Sequence, residues 1–308
     1  MACKKCIEKP VIHYPVNNVK LCKNCFLEYF EKKVFKTIRD FNLIEKNDKI
    51  GVAVSGGKDS LTVMHLINEI VKKRRDVKIV AIAIDEGINN YRDKSLEFAK
   101  KICKKEKIEL KVFSYKKEVG QSLDNILKKM KVKPCSICGV LRRYLLNKKS
   151  RELGITKLAT GHNMDDEAQS ILMNQFRNNI DASSRMGPIT GVMKHELFVR
   201  RIKPLYFISE KETTTYALLK GFLDSYNTCP YGSEAYREDM RNLLNNLEKK
   251  YPGTKYAVIN SFLEILPLLK EEYRKNRKIL QCENCGEPCS QKICQACRMI
   301  EKIGSNLS

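Results

Sequence analysis

The chain of 308 residues has no tryptophan, an absence from which nothing follows, and no apolar run near the roughly 20 residues that would cross a bilayer. Its start, Met-Ala-Cys-Lys-Lys-Cys, lacks the apolar core of an export signal. Acidic residues are in deficit: 36 Asp and Glu stand against 58 Lys and Arg, a net charge of +22. Such an excess suits a polyanionic partner, because each cation set against a phosphate releases a counterion. The bland alternative is a solvated basic surface in a lysine-rich proteome. With no export signal, thirteen cysteines indicate a reducing cytoplasm, where paired thiols are more often metal ligands or catalysts than disulfides.

The cysteines are patterned. Cys3, Cys6, Cys22 and Cys25 form a C-x2-C…C-x2-C set, and Cys282, Cys285, Cys294 and Cys297 form a second. Cys6 and Cys22 enclose fifteen residues and Cys285 and Cys294 enclose eight, spacings that fit two four-thiolate zinc sites. A free buried Cys is the alternative for any single position, but not for eight at this pairing. The expected role is structural, presenting basic surface to RNA. Cys289 reads as a bystander and Cys103 as core.

Between these sets strands and helices alternate. Tyr29–Glu45 reads as a helix, Lys49–Val54 as a strand, Asp59–Val71 as a helix and Val77–Ile84 as a strand. Lys94–Lys105 (helix), Glu109–Tyr115 (strand), Gln121–Met130 and Val140–Leu153 (helices), Lys157–Thr160 (strand) and Asp165–Arg177 (helix) continue the series. Residues 181–210 are less regular, and Tyr236–Leu247 and Lys255–Lys270 are helical. The alternation predicts an α/β, doubly wound parallel sheet. The expected division is an N-terminal zinc-binding knot at 1–28, a catalytic domain at 29–275 and a C-terminal zinc ribbon at 276–308.

Ser55-Gly-Gly-Lys-Asp-Ser60 lies between a buried strand and a helix, where glycines and a helix N-terminus can cradle an anion. It is not a Walker A loop, since position 52 is Val and Asp59 follows the Lys; an ordinary glycine turn is the alternative. Ala159-Thr-Gly-His-Asn-Met-Asp-Asp-Glu-Ala168 leaves another strand for another helix, which Asp165 or Asp166 can cap. His162 reads as a packing or hydrogen-bonding residue, not a general base. Cys135-Ser-Ile-Cys138 precedes a helix bearing Arg142 and Arg143, which favours thiolates. Two such cysteines can be a zinc half-site, a redox pair or packing. Cys229 adds a third thiol, and three suit an iron–sulfur cluster with one iron open to sulfide.

The first loop resembles the PP-loop of ATP pyrophosphatases. By that resemblance Ser55, Gly57, Lys58, Asp59 and Ser60 line the phosphates of ATP and its Mg²⁺, with Ala53 and Val54 beside them. The whole set of motifs closely resembles the TtuA/TtcA-type tRNA 2-thiouridine synthetases. It comprises both knots, the PP-loop, Asp85-Glu-Gly-Ile88, C-x-x-C-G-v-l-R-R, G-H-x-x-D-D and Cys229-Pro-Tyr. The resemblance implies that Gly161 and Asp166 contact the nucleotide, that Ile84 lies at the adenine side, and that Cys135, Cys138 and Cys229 carry a [4Fe–4S] cluster, with persulfide chemistry as the older rival. Arg142 stands where T-loop-directed members have Lys, which leans toward the wobble uridine; Arg keeps the charge and can fork two phosphate oxygens.

The activity implied is transfer of AMP to the C2 oxygen of a tRNA uridine, then attack by sulfur and loss of AMP. Arg142, Lys58 and Mg²⁺ stabilise charge at the α-phosphate. The sulfur donor implied is a ubiquitin-like thiocarboxylate protein or free sulfide, and relatives often form homodimers. The rivals are a tRNA cytidine thiolase, a PP-loop amidating enzyme and a non-enzymatic zinc-ribbon RNA-binding protein. Cytidine thiolases use two C-x-x-C pairs, amidating enzymes need no three-thiol site, and the intact PP-loop argues against the last.

Overall fold

The computed structural model describes residues 2–130, 132–223, 229–232, 235–275 and 279–305. An antiparallel pair, β1 (Pro10–Tyr14) and β2 (Val19–Cys22), leads into α1 (Lys23–Asp40). The alternating core follows: β3 (Lys49–Ala53), α2 (Lys58–Val71), β4 (Lys78–Asp85), α3 (Arg92–Glu106) and β5 (Leu110–Ser114). Three helices, α4 (Tyr115–Glu118), α5 (Leu123–Lys129) and α6 (Pro134–Glu152), return the chain to β6 (Lys157–Ala159). Then come α7 (Met164–Phe176), α8 (Ile180–Ser184), β7 (Arg200–Ile202), α9 (Glu210–Lys220), α10 (Ala235–Lys250) and α11 (Thr254–Lys275). The short pair β8 (Leu280–Gln281) and β9 (Pro288–Cys289) precedes α12 (Gln295–Ser305).

β3 to β7 form one parallel sheet in the order β5-β4-β3-β6-β7, as the alternation predicts. Ile50 and Val52 of β3 and Val80, Ile82 and Ile84 of β4 are buried, as in a sheet covered on both faces. One core holds Phe26, Phe30, Val34, Leu61 and Leu66 together with Cys3 and Cys22. The other holds Ile82, Tyr115, Leu141 and Leu145 together with Cys282 and Cys294. The two terminal segments therefore pack into cores that also contain sheet residues. No described helix is long and apolar enough to cross a membrane.

Three elements differ from the sequence reading. β7 lies within the stretch read as less regular. It is an edge strand, Arg200-Arg201-Ile202, whose one fully buried residue leaves no apolar signature. α9 starts at Ser209, whose hydroxyl oxygen accepts the Glu212 N–H while Glu212 reaches back, a capping box. Its Thr213-Thr214-Thr215 run blurs the apolar stripe. α6 begins at Pro134 rather than 140, so Cys135 sits in its first turn and Cys138 opens the second; proline at N1 suits a helix start.

Strand order reverses beside β3: β4 and β5 lie to one side, β6 and β7 to the other. Loops leaving the adjacent C-terminal ends of β3 and β6 meet there, the usual ligand crevice of such sheets. A Cβ on Gly161 would lie 2.8 Å from the Ser60 nitrogen and 2.9 Å from the Asp59 carbonyl carbon. Gly161→Ala is therefore expected to force the loops apart and lower stability by about 1–3 kcal/mol, read as a shifted urea midpoint.

Candidate active site

The first loop is ordered by its own hydroxyls. The Ser55 N–H donates to Ser60 Oγ (3.2 Å), the Gly57 N–H donates to Ser55 Oγ (3.3 Å), and Ser60 Oγ donates to the Gly57 carbonyl (2.9 Å). Gly56 has φ +88°, and a Cβ there would lie 2.2 Å from the Ser95 carbonyl oxygen of α3. Gly57 caps α2 without a side-chain acceptor, so the first amides of this helix stay open to an anion. Ala53 and buried Val54 lead in from β3, the Val54 N–H donating to the Ile82 carbonyl. Lys58 Nζ lies 2.8 Å from Asp59 and 3.5 Å from Glu210 of α9. Burial alone would lower its pKa; the two carboxylates outweigh that and hold it above the ordinary lysine value.

In the second loop neither Asp165 nor Asp166 caps α7. The cap is Asn163, whose Oδ1 accepts the Asp166 N–H while Asp166 Oδ2 accepts the Asn163 N–H. Asn163 also donates from Nδ2 to Asp59 Oδ1 (3.2 Å), tying the two loops together. The adjacent aspartates divide: Asp165 turns inward, pairs with Lys255 of α11 and accepts the Glu210 N–H, which makes it structural. Asp166 is beside Asp59 in the crevice, and burial, then the Asp59 charge, push its pKa up to about 6. His162 Nδ1 lies 3.0 Å from Thr160 Oγ1. The protein around it, then Lys203, Arg201, Arg237 and Arg142, lower its pKa, although the side chain itself is exposed at the mouth of the crevice. It stays neutral near pH 7, consistent with a hydrogen-bonding role.

The thiols gather across the crevice. Cys135 Sγ donates to the Tyr231 carbonyl (3.0 Å), and the Tyr231 hydroxyl donates to Asp124 (3.0 Å). Cys229 opens a turn closed by the Gly232 N–H on its carbonyl (2.9 Å). Tyr115, fully buried, donates to the Cys138 carbonyl (2.9 Å) with its hydroxyl 3.9 Å from Cys138 Sγ. The expectation of a lowered thiol pKa fails at Cys138. Burial pushes it up, and Glu86 and Cys229 add to this; Arg142 and the Tyr115 hydrogen bond pull only partly against them. A thiol held in this way ionises where a metal binds it, because the metal displaces the thiol proton outright.

The terminal sets differ in geometry from the central one. All four Sγ atoms of Cys3, Cys6, Cys22 and Cys25 lie within 4.8 Å of one another, as do those of Cys282, Cys285, Cys294 and Cys297. Cys6 to Cys22 is 3.4 Å and Cys285 to Cys294 is 3.7 Å. Thiolates at about 2.3 Å around one tetrahedral ion stand about 3.8 Å apart. The central three form no such tight group, which fits thiolates on separate irons rather than on one ion. Cys103 is buried beside Met64, and Cys289 donates to the Gln291 carbonyl outside the terminal set.

Sequence reasoning missed several residues at this crevice. Asn163 was hidden beside two more conspicuous aspartates. Tyr115, Glu86 and Arg92 touch the motifs only after folding. Arg201, from the unrecognised β7, has its pKa pushed down to about 10 by burial and by Arg143 and Arg142.

Asp166 carries a sign that can be checked. A carboxyl whose folded pKa is raised stabilises the fold below its ordinary range near 4, and that contribution is lost as pH rises through about 6. Its carboxyl carbon resonance should titrate near pH 6, and Asp59→Asn should move the midpoint down.

A family model described as a PP-loop domain matches residues 27–248. A tRNA-5-methyluridine(54) 2-sulfurtransferase of Pyrococcus horikoshii is 37% identical over 300 residues, 97% of this chain and 93% of that protein. The tRNA 2-thiolation protein NcsA of Haloferax volcanii is 35% identical, covering 98% of this chain and 99% of its own. Among solved structures, the U34-tRNA thiolase NcsA from Methanococcus maripaludis with its [4Fe-4S] cluster has a TM-score of 0.84 and 33% identity, over 98% of this chain and 96% of that one. On these end-to-end matches the chain belongs to the PP-loop family, among its tRNA thiolases.

Proposed function

We propose that this chain replaces the C2 oxygen of a tRNA uridine with sulfur, using ATP to activate that oxygen. The observation that carries the reading is one crevice holding both an open helix N-terminus behind Lys58 and a three-thiol group beside Arg142. The thiolases among its relatives support it, as does their cover of nearly the whole chain. A cytidine thiolase or amidating enzyme fits the donor set less well.

The α2 amides, Ser55, Gly57, Asp59 and Ser60 hold the pyrophosphate portion of ATP with its Mg²⁺, and Lys58 neutralises it as it leaves. Gly161 lets the second loop close on this site, and ionised Asp166 draws the cation. Ala53, Val54 and Ile84 border the base. Arg142 faces the α-phosphate. His162 is neutral and serves as a hydrogen-bond partner rather than an acid. Cys135, Cys138 and Cys229 would be the protein ligands of a [4Fe–4S] cluster, which when bound would hold sulfide delivered by the donor. The crevice cations Arg201 and Arg237 favour the phosphodiester backbone of the RNA, whereas Lys203 is buried in an ion pair with Glu167.

Identity does not separate the nucleotide position, since a uridine-34 and a methyluridine-54 enzyme are matched at 33% and 37%. Arg142 favours the wobble uridine. The near-tetrahedral terminal thiol sets favour zinc, with residues 1–28 and 276–308 as appendages to the catalytic domain at 29–275. The sulfur donor is a thiocarboxylate protein or sulfide, and the working form is a cytoplasmic homodimer.

Lys58→Ala should lower thiolation by about 10²–10³-fold while iron content stays unchanged. Labelled ATP should give AMP and pyrophosphate in step with thiouridine; ADP and phosphate would sink the adenylation step. Alanine at Cys135, Cys138 or Cys229 should remove iron and activity together. Cys282→Ser should lower bound zinc in metal analysis and leave the iron in place.

A further inference from the structure

Glu86 lies just after β4, 5% exposed, within the Asp85-Glu-Gly-Ile88 motif but with no role assigned to its carboxylate. Its two oxygens face two different arginines. Glu86 Oε2 is 2.9 Å from Arg92 Nε, and Oε1 is 3.7 Å from Arg142 Nη1. Arg92 is itself buried, 3% exposed. Its guanidinium donates to the Ser55 carbonyl of the PP-loop (2.6 Å), to the Ile84 carbonyl (2.5 Å) and to Ser95 Oγ (3.2 Å). Arg142 is half-exposed on α6, one turn beyond Cys138.

The same loop reaches the third thiol. The Asn89 N–H donates to one oxygen of Asp124 (2.9 Å), and the Tyr231 hydroxyl donates to the other (3.0 Å). The Leu123 N–H donates to the Glu86 carbonyl (2.7 Å), fixing α5 to this point. Gly87 has φ +70° and sits against Ser122, where a Cβ would approach to 2.6 Å, so the loop has one backbone path.

We propose that Glu86 is a positioning residue that joins the ATP loop to the sulfur helix: through Arg92 it fixes the Ser55 carbonyl, and through Arg142 it aims a mobile cation into the crevice. The physical ground is an asymmetry. Arg92 is buried, its terminal nitrogens donate to the Ser55 and Ile84 carbonyls, and its Nε meets Glu86 as an ion pair rather than a hydrogen bond, so it cannot follow a moving partner. Arg142 has a long stem half in water and many rotamers, and Glu86 is the carboxylate within ion-pair distance of it among the described residues. A charge held at one end by a buried fork restricts the other end at little entropic cost. The nucleotide loop and the thiol-bearing helix therefore move as one piece, and phosphates seated at Ser55 meet Arg142 already in place.

This inference rests on the proposed use of ATP at the PP-loop, and its test separates the two. Affinity for Mg²⁺-ATP is measured by calorimetry on air-purified full-length chain with no tRNA, for wild type, Glu86→Gln, Arg142→Lys and the double variant. Glu86→Gln keeps the shape and removes the charge. It should weaken binding about tenfold, with a double variant no weaker than the weaker single, because both changes act on one linkage. Losses that multiply in the double variant, or wild-type affinity in Glu86→Gln, would overturn the proposal. If Glu86→Gln does not fold, Glu86→Asp takes its place: it keeps a charge for Arg92 but shortens the reach to Arg142. Its Mg²⁺-ATP affinity should fall about tenfold, and no further when Arg142→Lys is added; wild-type affinity overturns the proposal. Wild-type protein that binds no ATP refutes both readings, whereas one that binds ATP without thiolating refutes only the assigned reaction and leaves the calorimetric cycle to decide.

Discussion

At the reversal of strand order two backbones touch, with no room between them for a methyl group. Gly161 lies against Asp59 and Ser60, and the rest of the crevice depends on that contact. It brings Asn163 within reach of Asp59, so one amide side chain caps α7 and clasps the nucleotide loop. It also places Asp166 near Asp59, and two carboxylates in a buried crevice resist ionising together. Burial first, and then the Asp59 charge, raise the Asp166 pKa, and the two carboxylates draw positive charge to the point where Lys58 sits.

The terminal segments brace the two sides of this crevice separately. The N-terminal pair packs on α1 and α9: Tyr14 and Lys33 both contact Glu212, and Phe30 stacks on Tyr216 at 4.1 Å. α9 in turn carries Glu210, the partner of Lys58 and of Asp165. The C-terminal segment packs on α6, where Glu287 accepts from Asn147 and pairs with Arg151 at 2.5 Å. α6 carries Cys135, Cys138 and Arg142. Each set of four thiols therefore backs a different half of the site, the phosphate side or the sulfur side.

The sheet and the site's motifs were legible because they are local. A strand, a glycine loop and a helix start lie within a dozen residues at Ser55, and thiols at C-x2-C spacing announce themselves. What was not legible depends on distance in sequence or on environment. β7 has too few buried residues to leave a period. Asn163 outcompetes Asp165 and Asp166 as the cap because its side chain serves two loops, one of them about a hundred residues away. The direction of the Cys138 shift was misread because a helix N-terminus and an arginine were visible, whereas the burial that outweighs them was not. Arg92 looks like an ordinary surface charge, and the carboxylate of Glu86 has no assigned partner, until folding buries both.

The stacking of Phe30 on Tyr216 also sets an order of events during synthesis. The N-terminal arm leaves the ribosome first, yet its partners on α9 are nearly two hundred residues downstream, as the separation of 198 between Tyr14 and Glu212 shows. At roughly 5–20 residues per second that interval is on the order of ten seconds or more. Throughout it the face of α1 that meets α9 lacks that partner, while the rest already packs on the N-terminal strands and α2. An ion on the four thiols would hold the arm's shape while it waits, and metal supply to the nascent chain would then set how much protein is recovered folded.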